Sequence, residues 1–291
     1  MDRYAVASKS LEPGDLIISE SPVSYGPKSD SPPICLGCHS AVDCTVMCTT
    51  CGWPVCNEQC EKQPIHAENE CQIFSGVKIK FTPVEDLYNS CSQYECITPL
   101  RLLLAKERDP DRWEKEVVGM ESHEEKRKEA EAWRVEQVNV VEFLHKVCKL
   151  QDRFPEDLIH FACGILEINA FTAQNRLGYE VRCLYPKTGL LAHSCVPNVR
   201  HCIFGKSESN EEYHVYVRAA VKLEKGQEIL LSYTHTLAPT LFRRAHLREG
   251  KFFDCSCPRC ADPTELGTHL STLKCGKCDN GWVLSSDPLG K

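Results

Sequence analysis

No apolar run in this chain approaches the roughly 20 residues that a membrane-spanning helix needs. The opening MDRYAVASKSLEPGD has neither the basic nor the apolar region of a secretion signal. Basic residues are outnumbered, 34 Lys and Arg against 41 Asp and Glu, for a net charge of -7. The overall balance therefore gives no basic face to meet the phosphates of a nucleic acid. There is no internal repeat and no low-complexity tract, so the chain does not read as a solenoid or a linker. These absences leave an expectation of an intracellular globular protein with no membrane partner and no nucleic-acid partner. No basic targeting cluster decides between cytoplasm and nucleus.

What the chain has in excess is cysteine, 20 of 291 residues. In a reducing compartment thiols stay free, so dense cysteine usage points to metal ligation over disulfides. Eight ligand residues fall within residues 35–71: Cys35-x2-Cys38, Cys48-x2-Cys51, Cys56-x3-Cys60 and His66-x4-Cys71. Tetrahedral zinc takes four thiolate or imidazole ligands, and a Cys-x2-Cys places two sulfurs on one tight turn, so eight ligands supply two closed sites. The segment is apolar-poor, and metal binding, worth on the order of 10 kcal/mol in small zinc modules, stands in for a conventional core. Cys44 falls outside the pairing and reads as a free thiol. A second cluster, Cys255-x-Cys257-x2-Cys260, supplies three ligands on one loop, and Cys195 is the candidate fourth. Cys275-x2-Cys278 is half a site, so either a second pair lies in a longer form of the protein or these thiols are free.

Around these clusters the chain alternates in character. Tyr4 to Leu11 and Leu16 to Glu20 read as strands about the turn Pro13-Gly14. From about Val84 to Leu150 the pattern is helical, with a solvated charged stretch, HEEKRKEAEAWRVEQ, in its middle. A second helix is expected from Glu156 to Ala170, where Leu158, Phe161, Ala162, Ile165 and Ile168 share helical spacing. Strands return as EVRCLYP, as the pair VRHCIFG and EYHVYVRAA about the tip KSESNEE, and as EILLSY, followed by a helix through Leu241 to Leu247.

The cluster of residues 35–71 resembles a MYND zinc finger, in which two ions are bound in interleaved fashion. That resemblance assigns Cys35, Cys38, Cys56 and Cys60 to one ion and Cys48, Cys51, His66 and Cys71 to the other, with the last spacing one residue longer than the commonest family form. HSCxPN at His193 to Asn198, GQEILLSY ending at Tyr233, and the Cys-x-Cys-x2-Cys loop, in that order, resemble a SET domain with its post-SET zinc loop. A SET domain interrupted by a MYND finger is the mark of the SET and MYND family. The start VASKSLEPGDLIISESPV fits it, and DPTELGTHLSTLKCGKC is most like the arthropod branch.

The resemblance implies an α+β fold: a SET β-core of small sheets, interrupted by the finger and a helical insert. The implied divisions are residues 1–34, first part of the SET domain; 35–71, the finger; 72–155, helical insert; 156–236, SET core; 237–291, post-SET zinc loop and tail. It implies an S-adenosylmethionine-dependent protein-lysine N-methyltransferase with three zinc ions, acting on a protein lysine and taking proline-containing peptides through the finger. Tyr233 would be the catalytic tyrosine. Arg3, Asn169, His193, Ser194 and Phe253 would lie against the cofactor. Three positions depart from the family: Ala192 replaces an asparagine that contacts the cofactor, Lys251 stands where vertebrate members usually place a tyrosine, and the glycine-rich N-terminal segment is reduced to Arg3-Tyr4. These departures weaken the pocket while sparing the zinc ligands. The alternative reading is therefore a catalytically degenerate scaffold that acts through protein interactions.

Overall fold

The computed structural model describes residues 4–175, 177–204 and 213–290. Among the described residues ten short strands are distributed over small sheets: β1 (Leu16–Glu20), β2 (Ser24–Gly26), β3 (Phe171–Gln174), β4 (Glu180–Leu184), β5 (Ala192–His193), β6 (Val199–Phe204), β7 (His214–Ala219), β8 (Leu230–Leu231), β9 (Leu273–Lys274) and β10 (Trp282–Val283). The orders are β1-β7-β6, β2-β4-β3, β5-β8 and β9-β10. This is the expected α+β architecture of small sheets. By contacts the chain divides into two units, residues 19–189 with 202–216, and residues 1–18 with 190–201 and 217–291.

The larger unit holds the first cysteine cluster and most of the helices. Three short helices follow the Cys-x2-Cys turns: α1 (Glu58–Glu61), capped by the Asn57 side chain on the Cys60 N–H, α2 (Pro64–Ala67) and α3 (Glu70–Gly76). The helical insert starts later and is more broken than its spacing predicts. It consists of α4 (Ile97–Arg108), α5 (Pro110–Arg112), α6 (Glu124–Arg127) and α7 (Glu131–Glu136), with π-helical turns at Trp113–Val117 and Gln137–Val147. Asp109-Pro110 explains one break, since the residue before proline is pushed out of the helical region; Asp109 has φ -138° and ψ 73°. Helix α8 (Glu156–Asn169) matches its expected span, opening on Pro155 with Glu156 and Asp157 in the first turn, where carboxylates suit the helix dipole. It buries Ile159, Ala162, Ile165 and Leu166.

The cysteine-rich segment is less dependent on metal for its packing than its composition suggests. Trp53 is buried and stacks on Phe74 at 4.6 Å between ring centroids, with Phe81 at 5.5 Å and Tyr94 at 5.8 Å. The Tyr94 hydroxyl donates to the Ile34 carbonyl at 2.7 Å. The finger thus has an aromatic core, but three of its four rings come from residues after 71, which the local composition of residues 35–71 could not register.

In the smaller unit the expected N-terminal strand survives only as isolated bridges, Val6 with Glu228 and Leu11 with Leu223. The parallel pair β5-β8 sets Ala192 opposite Leu230 and His193 opposite Leu231. Helix α9 (Thr240–Lys251) ends on Phe252, whose φ of 59° turns the chain into the second cysteine loop, and α10 (Pro258–Ala261) carries Cys260. The tip KSESNEE, expected to close a hairpin, lies outside the described residues. No helix among the described residues is long and apolar enough to cross a membrane.

Candidate functional site

Three groups of four ligand residues come together: Cys35, Cys38, Cys56 and Cys60; Cys48, Cys51, His66 and Cys71; and Cys195, Cys255, Cys257 and Cys260. Within each group the ligand atoms lie within 4.8 Å of one another. Zinc–sulfur bonds of about 2.3 Å in a tetrahedron place the sulfurs roughly 3.8 Å apart. Observed separations are 3.6 Å for Cys38–Cys56, 3.7 Å for Cys48–Cys71, and 3.9 and 3.5 Å for Cys195 with Cys255 and Cys260. Cys51 Sγ lies 3.7 Å from His66 Nε2, so His66 takes its place despite the longer spacing. The donor sets, four thiolates or three with an imidazole, fit zinc. Gly37 shows how tightly the first turn is wound: a Cβ there would sit 2.3 Å from the Cys60 carbonyl oxygen.

Charged groups that the spacing of cysteines gives no hint of stand behind these ligands. His66 Nδ1 lies 2.9 Å from Glu70 Oε1, the carboxylate–imidazole contact that fixes the tautomer of a metal-ligating histidine. Glu70 is fully buried and receives two bonds from Arg101, at 2.6 and 2.8 Å. Burial alone would raise the Glu70 carboxyl, but Arg101 holds it below its usual range. Arg101 also donates to the carbonyls of Leu36 and Tyr25. Behind the third group, Arg243 donates to Cys195 Sγ at 3.3 Å and to Cys260 Sγ at 3.6 Å. Its other face meets Glu265 at 2.7 Å, and Glu265 also accepts from Arg259 at 3.2 Å. A glutamate one turn after a ligand histidine is a signal the sequence did carry; the arginines had none.

Around Tyr233 the smaller unit builds a compact arrangement. The Tyr233 hydroxyl donates to the Leu191 carbonyl at 2.5 Å, and burial raises the phenol, which keeps its proton. The Tyr233 N–H donates to His193 Nδ1 at 3.0 Å, which places the ring proton on Nε2, 3.3 Å from Cys195 Sγ. Burial pushes His193 down to about 4, so the ring is neutral. Rings of Tyr233 and Phe253 lie 5.2 and 5.9 Å from that of His193. One imidazole thus ties the backbone of the tyrosine to a thiolate of the third metal group.

Asn198 fixes the crossing of this segment. Its amide donates to the Glu228 carbonyl and its carbonyl oxygen accepts from the Leu230 N–H, both at 2.8 Å. Its own backbone N–H donates to Leu230 at 3.1 Å, and its backbone carbonyl accepts from Ala220 at 2.9 Å. Both ring nitrogens of His193 are engaged, and the Ser194 hydroxyl accepts from the Val196 N–H, so their side chains are committed within the unit. Asn169, in the larger unit, donates to the carbonyls of Glu121 and Ile165. Arg3 lies outside the described residues. Ala192 is half-buried on β5, and Lys251 closes α9, where a cation suits the C-terminal end of the dipole.

The family model of the SET domain matches residues 3–234, a span that ends one residue past Tyr233. The chain is 31% identical over 281 residues to the SET domain-containing protein SmydA-8, isoform A, of Drosophila melanogaster, covering 94% of this chain and 57% of that protein. It is 27% identical over 237 residues to the N-lysine methyltransferase SMYD2 of Gallus gallus, covering 78% of this chain and 50% of the relative. With the histone-lysine N-methyltransferase SMYD3 of Mus musculus the identity is 26% over 262 residues, 86% of this chain and 57% of the relative. The chain spans about half the length of the curated relatives it matches.

Proposed function

We propose, on the premise that this chain belongs to the SET domain family and resembles its SET and MYND members, that it is an S-adenosylmethionine-dependent protein-lysine N-methyltransferase with three structural zinc ions. The observation that carries this reading is the Tyr233 hydroxyl, half-buried, protonated and held at the Leu191 carbonyl with its ring against that of His193. Bound S-adenosylmethionine supplies a sulfonium methyl for transfer to a neutral amine. For their part, Tyr233 and its neighbours orient the incoming lysine nitrogen, and their partly dry aromatic surroundings disfavour its ammonium form. His193, whose ring meets those of both Tyr233 and Phe253, forms the wall next to Tyr233. The finger, with its own two ions, is the surface for a proline-containing peptide.

A second reading, a scaffold without methyl transfer, is favoured by Ala192, which has no amide to bond the cofactor, and by the full engagement of the His193 ring within the protein. Losing such bonds costs roughly 0.5 to 1.5 kcal/mol each. Titration calorimetry of S-adenosylmethionine into zinc-replete protein separates the two. Binding is expected; no heat at high micromolar cofactor overturns the enzyme reading. Tyr233→Phe is then expected to abolish methyl transfer on a peptide array with zinc content unchanged, and retained activity would mean another residue performs that role.

A further inference from the structure

Cys275 and Cys278 belong to none of the three four-ligand groups, and among the described residues no third ligand closes on them. They sit between β9 and β10, whose register pairs Lys274 with Trp282 and Leu273 with Val283. The loop is shaped like the metal-binding turns elsewhere in the chain. At Cys275 the Lys277 N–H donates to Sγ at 3.3 Å, and the Cys278 N–H also faces that sulfur. At Cys48, in a complete group, the N–H of Cys51 lies 3.5 Å from Sγ and that of Thr50 faces it too. Cys38 and Cys35 share the first of these contacts at 3.5 Å. The Cys275 N–H closes the loop on the Gly281 carbonyl at 2.8 Å. Gly281 is required by space: a Cβ there would meet Cys278 Sγ at 2.3 Å and Cys275 Cβ at 3.0 Å.

We propose that this hairpin is a preformed half of a fourth zinc site, completed by the same two thiolates of a second copy of the chain. Two features favour a second copy. Leu273, Trp282 and Val283 flank the cysteines and are 68%, 69% and 50% exposed, an apolar rim on a two-stranded hairpin that is marginal when isolated. A two-fold contact brings identical rims together around one ion on the axis. Charge agrees as well. Four thiolates around a divalent cation leave a net negative site, and residues 273–284 of each copy carry Lys274 and Lys277 against a single Asp279.

The test uses the 291-residue chain, zinc-replete in a phosphine reductant that prevents disulfides, then exchanged against a weak chelator. Zinc per chain is read by elemental analysis and mass by light scattering. Wild type is expected to be a dimer holding one ion per two chains beyond the three of each chain. The double variant Cys275→Ser/Cys278→Ser is expected to be a monomer with three. Gly281→Ala, which keeps both thiols but fills the space behind them, is expected to lose the extra ion and the dimer together. A wild-type monomer, an extra ion held by each monomer alone, or a dimer that survives the double serine variant each overturns the proposal.

Discussion

Arg243 meets two sulfurs of the third metal group on one side and Glu265 on the other, so its charge is shared between a thiolate cluster and a carboxylate. Glu265, 1% exposed, also receives Arg259, whose guanidinium reaches the Cys195 carbonyl. Removing one member of such a buried set leaves the others unpaired, at about 3–5 kcal/mol. Glu265→Gln is therefore expected to lower stability by about that amount, measured by urea unfolding of the zinc-loaded protein; an effect within 1 kcal/mol would show that water compensates both arginines. The pH dependence has a fixed sign. Burial raises the Glu265 carboxyl, but bonds from Ser271, Arg243 and the Thr240 N–H outweigh it and hold the group below its usual value. Its contribution is thus present above the unfolded carboxylate value and lost as pH falls through the folded one. Glu70→Gln, which loosens His66, is expected to weaken the finger ion that His66 holds by roughly 10- to 100-fold, read by competition with a chromogenic chelator. Glu70 at least stood one turn after a ligand histidine, whereas Glu265 was not legible as functional in the sequence, because a buried carboxylate and a solvated one are written alike.

Strands β5 and β8 are each two residues long, too short to hold a register alone, and Asn198 supplies what they lack. Asn198→Ala is expected to destabilise the smaller unit by about 2–4 kcal/mol, since it leaves the Glu228 carbonyl and the Leu230 N–H without partners. Hydrogen exchange should show the loss first at Leu230 and Leu231, and protection there equal to wild type would count against the clamp. Elements with long periodic patterns were readable in advance: α8 and α9 lie where Leu158 to Ile168 and Leu241 to Leu247 point. The strands about Tyr4 to Leu11 and EILLSY were over-read. Their backbones are held by single bridges and by the Asn198 clamp, and neither leaves a period in the sequence.

Over the whole chain the cysteine spacings fixed more than the apolar pattern did, because a tetrahedral site tolerates few alternatives and twelve ligands fall into three groups. The aromatic core around Trp53 and the arginines behind the ligands went unread, since they join residues far apart in sequence. The two units carry separate ligand groups: two lie in the larger, one in the smaller. Cys195→Ser is accordingly expected to remove one ion of the three while the finger keeps two, and metal analysis showing further loss would contradict independent sites. Acid should release the ions as protons compete for the thiolates. The His193 ring gives the third ion a wider reach. Disturbing that cluster disturbs one of the two partners of the imidazole that holds the Tyr233 backbone. On the proposed reading, the placing of Tyr233 would then depend on zinc supply through a single ring.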